Sequence, residues 1–248
     1  MSLNVKPAFG EEGSATGEIF ETKFVVPRAI AEILKSTISR NAVKPPRFHS
    51  ARLKTTYFDD ASGTSFFESR DGHLSKKKYR LRTYMDPDPE GALYSIEVKR
   101  RSDARTGKVK RLIYKPLPPG YAPTTFRDLI ATSEDMDGRT FADLRRELPE
   151  RELYPDTVIY YERLRFDDTR FDVRYNLDTK IKVFVRPGTD DTDGGGGGGG
   201  GGVTLDHDIF EIKSARPGFF PDFLSALGLE PVSFSKFVWG RQSFLGEF

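Results

Sequence analysis

The 248-residue chain has no cysteine, which excludes disulfides, thiolate metal ligands and cysteine nucleophiles together. Histidine is scarce, at three, and no Walker A loop occurs. Charge of one sign is not in excess either: Lys+Arg 39 against Asp+Glu 37 leaves a net +2, so the molecule as a whole is not a polycation. Any basic site must come from local arrangement, and nucleic-acid binding, which asks for a strongly basic domain, is disfavoured. No apolar run reaches eighteen residues, and the N-terminus lacks the charged-then-apolar order of a signal peptide. The expectation is a soluble, cytoplasmic protein with no membrane segment. The length suits one large domain or two ordinary ones, either with a sizeable core.

One composition feature is abundant rather than scarce. Gly194 to Gly202 are nine consecutive glycines following the acidic Asp190, Asp191, Thr192 and Asp193. Poly-Gly has nothing to pack and a large ordering entropy, so a flexible surface loop at 190–203 is expected, or an artificial stand-in for another sequence. No function attaches to it. The polar, small residues of 1–17 are expected to be disordered, leaving 18–248 as a single domain.

The rest reads as strand-rich. Strands are expected at Ile19 to Val26, Leu53 to Phe58, Tyr79 to Tyr84, Leu93 to Arg100, Lys108 to Tyr114, Val158 to Phe166, Arg170 to Asn176, Lys180 to Val185 and His207 to Ser214. Pro27 suits a helix start, with Ile30, Ile33, Leu34 and Ile38 at helical spacing through Arg40. Short helices are expected at Phe141 to Leu148 and Pro221 to Leu227, the latter ended by Gly228. DPDPEG at Asp86 to Gly91 supplies turn chemistry. Hairpin-length connections indicate an antiparallel sheet, and closure into an eight-stranded barrel would enclose room for one small ligand.

Alternation along these strands carries the functional signal. In KKKYRLRT, Lys76, Lys78, Arg80 and Arg82 share one face while Tyr79 and Leu81 take the other. SIEVKRR sets Glu97 and Lys99 against Ile96 and Val98, and DIFEIKSA sets Glu211 and Lys213 against Phe210 and Ile212. Lys108 and Lys110 share a face, as do Arg163 and Arg165, and Arg174 follows in FDVRYNLDT. A lone charge run is ordinarily a solvated strand face, and a lone Glu-x-Lys pair an ion pair worth little. Recurrence favours a shared polar interior, since Glu21/Lys23, Glu97/Lys99 and Glu211/Lys213 repeat one order and spacing. Carboxylates suit Mg²⁺ or Mn²⁺, making Glu21, Glu97 and Glu211 candidate metal ligands. Lys and Arg suit phosphate, Arg through its bidentate fork, so Lys78, Arg165 and Lys213 join the candidate substrate-binding set. His207 shares parity with Glu211 but reads as a surface histidine; His49 and His73 give no signal. Phe237 and Trp239 read as packing around Lys236, and Tyr57 and Asp59 as a strand end and turn.

The ordered set ETKF, YFDD, YRLRTY, SIEVKRR, the Lys110 segment, YYERLRF, VRYNLDT, FEIKSA and SFSKFVWG resembles the VTC domain, the polyphosphate polymerase domain of the vacuolar transporter chaperone family, within the triphosphate tunnel metalloenzymes that include the CYTH group. The resemblance implies an α+β fold, an eight-stranded antiparallel closed β-barrel with peripheral helices, its interior holding a triphosphate and a divalent metal, Mn or Mg. It implies catalytic roles for Lys23, the Arg80 and Arg82 pair, Lys99, Lys110, Arg163, Arg174 and Lys236, with Glu211 a metal ligand. The partners implied are ATP and inorganic polyphosphate, without nucleic acid. The first position of the Glu-x-Glu-x-Lys signature of CYTH hydrolases and cyclases is Ile19 here, which fits the VTC branch better than a two-metal hydrolase. The rival readings are an inorganic or nucleoside triphosphatase on the same fold and a polyphosphate-binding module without turnover.

Overall fold

The computed structural model describes residues 19–86, 93–102, 105–185 and 202–246. The expected N-terminal disorder, most of the DPDPEG turn and all but the last residue of the glycine run lie outside these residues. In chain order the elements are β1 (Phe20–Val26), α1 (Arg28–Asn41), β2 (Ser50–Asp59), α2 (Thr64–Arg70), β3 (Lys76–Tyr84), β4 (Tyr94–Ser102), β5 (Arg105–Ile113), α3 (Phe126–Asp137), α4 (Ala142–Arg146), β6 (Tyr154–Asp168), β7 (Val173–Val185), β8 (Val203–Thr204), β9 (Asp208–Ser214), α5 (Asp222–Ala226) and α6 (Lys236–Leu245). The ladders with a resolved register are antiparallel. Among the described residues no helix is long and apolar enough to cross a membrane.

These elements gather into two compact units. The first draws on the described residues of Met1–Ala51, Glu162–Lys180 and Leu205–Phe234. Its strands pair in the order β1, β9, β7, β6. Phe24, Val26, Phe166, Val173, Tyr175, Leu177, Phe210 and Ile212 turn one face of these strands into a core, which α1 covers with Ala31, Leu34 and Ile38. Pro27 sits at the N-cap of α1, where its missing N–H leaves nothing unpaired. Ile33, expected on the buried stripe, instead stands 47 % exposed, because Ala31 and not Ile33 shares the turn facing the sheet.

The second unit comprises Arg52–Tyr161, Ile181–Thr204 and Ser235–Phe248 as far as described. Here the order is β6, β2, β3, β4, β5, with β8 paired to β7. Tyr79, Leu81, Ile96 and Val98 project to one side and pack on Phe126, Leu129 and Ile130 of α3 and Leu144 of α4. The expected alternation on β3 and β4 is thus observed: their odd and even positions divide into an apolar core and a polar face.

Some elements differ from expectation. The two strands expected at 170–176 and 180–185 are one continuous β7, in which Lys180 takes a left-handed φ of 51° in place of a break. Helices α2, α3 and α6 occupy segments with no expected element. The last contains Gly240 in mid-helix, where glycine is unfavourable by about 1 kcal/mol. A Cβ there would lie 2.3 Å from Val183 Cγ1, so the close approach of α6 to β7 requires hydrogen at that position. Gly240→Ala should therefore destabilise the protein by about 1–3 kcal/mol in urea unfolding, and Val183→Ala in the same chain should recover part of the loss. Unchanged stability of the single variant would show that Val183 gives way freely.

Candidate functional site

The polar face of β3, β4 and β5 is built by register. Cross-strand partners share a face in an antiparallel sheet, and three successive rows read Lys78–Lys99–Lys108, Arg80–Glu97–Lys110 and Arg82–Ser95–Leu112. Six cations thus surround a single carboxylate. Glu97 is fully buried. Its Oε2 accepts from Arg80 Nε at 2.8 Å and Arg80 Nη2 at 2.5 Å, and lies 3.1 Å from Lys108 Nζ. Its Oε1 accepts from Ser95 Oγ at 2.9 Å and lies 3.6 Å from Arg82 Nη1. The other side of the Arg80 fork donates to the Tyr57 hydroxyl at 3.3 Å.

The electrostatics follow from this crowding. Burial pushes the Glu97 carboxyl up, but Arg80, Lys108, Arg82 and Lys110 overcome it and hold the group well below the usual carboxylate range. Burial also works against the Arg80 cation, and Glu97 more than restores it. For Lys108, burial and the repulsion of Lys110, Arg80 and Arg82 outweigh Glu97 and hold the ammonium well below its ordinary value. Water screens part of that repulsion, since the Lys108 side chain is 38 % exposed.

At the margin of this face, Lys78 Nζ donates to Ser235 Oγ at 2.9 Å and sits 5.8 Å from the centre of the Phe237 ring, which stacks on Tyr57. Lys236 Nζ stands over the Tyr161 ring at 5.1 Å. Phe237 therefore packs beside Lys78 and Tyr57, where the sequence placed it with Lys236. Tyr57 belongs to the polar face, whereas Asp59 ends β2: its buried carboxylate accepts from the N–H groups of Asp60, Ser65 and Phe66 at 2.9 Å and anchors the start of α2.

In the first unit the corresponding face of β1, β9 and β7 carries the rows Lys23–Glu211–Asn176 and Glu21–Lys213–Arg174. Lys213 Nζ bridges Glu21 Oε1 and Glu211 Oε1, each at 3.1 Å. Burial lowers the Lys213 ammonium, but Glu21 and Glu211 raise it above its ordinary value. Asn176 Nδ2 donates to Glu211 Oε1 at 3.3 Å and Asn176 Oδ1 accepts from Arg165 Nε at 3.4 Å. Arg163 and Arg174 have bidentate carboxylate partners, Arg163 on Asp178 at 2.6 and 2.7 Å and Arg174 on Asp167 at 2.6 and 2.9 Å. Lys23 Nζ donates to the Phe234 carbonyl at 3.1 Å. His207 is exposed, as its sequence context suggested.

A family profile, the VTC domain, matches residues 18–245 of this sequence. The chain belongs to the VTC domain family. No curated protein matches it. Among solved structures, a candidate adenylate cyclase from Bacillus halodurans superposes on this VTC domain with a TM-score of 0.50 at 11 % identity, over 88 % of this chain and 94 % of its own, a likeness of fold. A candidate adenylyl cyclase from Hippeastrum, described as having a dominant triphosphatase activity, gives 0.49 at 15 % identity, over 91 % and 96 %.

The donor chemistry of the VTC domain bears on the implied metal. Among the described residues no three His, Cys, Asp or Glu side chains group as a metal set. Glu97 is already engaged by three cations and a hydroxyl, and its geometry is that of a counter-ion. Glu21 and Glu211 fit better: two carboxylates drawn together by one ammonium suit a Mg²⁺ or Mn²⁺ ion that completes its shell with water and phosphate oxygens. Sequence reasoning did not single out Asp167, Asn176 and Asp178 as partners, although Asn176 and Asp178 follow Arg174 at the same parity on β7 and could have been read from it.

Proposed function

We propose that this VTC domain transfers the γ-phosphoryl group of ATP to the end of an inorganic polyphosphate chain. A terminal oxygen of the chain attacks the γ-phosphorus, the bond from γ-phosphorus to the β-bridging oxygen breaks, and ADP leaves with that oxygen. Such a reaction asks for positioning and charge neutralisation more than for a protein nucleophile. The observation that carries the reading is the face on which six cations crowd one buried carboxylate, within a family known as the VTC domain. Arg80, Arg82, Lys99, Lys110 and Lys78 hold phosphate oxygens in this reading, with Lys236, and in the first unit Lys23, Arg163, Arg165, Arg174 and Lys213 are taken as phosphate ligands on family resemblance. A divalent metal, held by Glu211 and Glu21, supplies charge neutralisation at phosphate oxygens when bound. The closed barrel expected from the resemblance is part of the same proposal and rests on family membership alone.

Incubation with ATP, Mn²⁺ and a short polyphosphate primer tests it. Chain growth on a gel with equimolar ADP is the expected result. Release of free phosphate without polymer would assign hydrolysis in place of transfer, and tight polyphosphate binding without nucleotide consumption would make the protein a binding module.

A further inference from the structure

Two buried polar atoms on the β2–β3 pair have no hydrogen-bond partner, Thr55 Oγ1 and Arg82 Nε. Thr55 is 1 % and Arg82 7 % exposed. They stand directly opposite each other in the antiparallel register and so share a face, with Cβ atoms about 4.5–5.5 Å apart. The adjacent row shows what satisfaction looks like there, since Tyr57 and Arg80 bond to each other. Buried polar groups are nearly always paired, because an unmet donor carries its whole desolvation penalty, and an orphan pair at one spot marks a missing partner. The Arg82 guanidinium is already anchored by Nη1 beside Glu97 Oε1, which leaves the Nε–H uncommitted. A hydroxyl and a guanidinium N–H, side by side next to a surplus of cations, call for an oxyanion as acceptor.

We propose that Thr55 Oγ1 and Arg82 Nε together donate to the oxygens of one phosphoryl group, which makes Thr55 a substrate-binding residue of this face. The inference rests on the reading of the face as a phosphate site. It also explains why the position is a hydroxyl-bearing β-branched residue: valine has the same shape and would suit a buried strand as well.

Thr55→Val is the deciding variant, with inorganic tripolyphosphate as the probe. In the unliganded protein its Tm should equal or exceed that of the parent, because an unmet hydroxyl has been removed. Its affinity for tripolyphosphate by titration calorimetry should fall about tenfold or more, the loss of one hydrogen bond to a charged acceptor. Thr55→Ser should keep most of the affinity. Parent-like binding by Thr55→Val would overturn the inference and leave an ordered water as the partner. A lowered Tm with unchanged affinity would do the same by giving Thr55 a packing role. If the parent protein itself ignores tripolyphosphate, the phosphate reading of the face fails and this inference falls with it.

Discussion

Glu97→Gln is expected to lower the free energy of unfolding by about 3–5 kcal/mol, because it leaves Arg80, Arg82 and Lys108 buried or half-buried with no counter-charge. Urea denaturation at neutral pH measures it. The same substitution removes a pH dependence whose sign is fixed. The folded pKa of Glu97 lies well below its ordinary value of 4.5, so its contribution is complete above that value and is lost as pH falls through the lower, folded one. The parent should therefore lose stability on acidification more steeply than Glu97→Gln below about pH 4.5. Tripolyphosphate should raise the Tm of the variant more than that of the parent, since the anion then takes over a neutralising role the carboxylate has vacated. A variant as stable as the parent, with the same acid limb, would mean that the cations find their balance elsewhere.

The other large effect concerns the arginine pair. Arg80→Ala combined with Arg82→Ala should reduce polyphosphate synthesis at least about a hundredfold, since each lost charge-assisted bond to phosphate contributes about 1.5–3 kcal/mol. The double variant also strips Glu97 of two of its cations, so unfolding must be excluded by assaying well below its Tm. Arg80→Lys separates the two roles. It keeps the charge but loses the fork that spans Glu97 and Tyr57, and should retain the fold while losing most activity. Full activity in the double variant would remove the face of β3 from the reaction.

How far these properties could be read from residues alone depends on the range of the signal. The strand alternation at Lys76 to Arg82, Glu97 to Lys99 and Glu211 to Lys213 is local, and the structure sorts those side chains as the parity requires. Helix α3 also carries local signals that no expected element used: Thr125 caps it by accepting from Asp128 N at 3.0 Å, Leu129, Ile130 and Ser133 recur at helical spacing behind Phe126, and Gly138 closes it at φ 74°. Helix α6 carries cap signals too, Ser235 accepting from Val238 N at 3.4 Å and Gly246 closing it at φ 68°, but its apolar residues lie all round it and its centre is glycine, so periodicity does not announce it, and only Val183 explains that glycine. The parity of Asp178 with Arg174 is legible, but which arginine each carboxylate takes is not, because Arg163 and Asp178, or Arg174 and Asp167, meet only once β6 and β7 are folded back on each other.

A face holding six cations to one carboxylate also bears on handling of the protein. On the proposed reading, phosphate or sulfate buffers will compete for this face, and preparations from cell extracts will tend to carry an adventitious polyanion through purification. Tripolyphosphate affinities measured without first stripping such passengers will then come out too low.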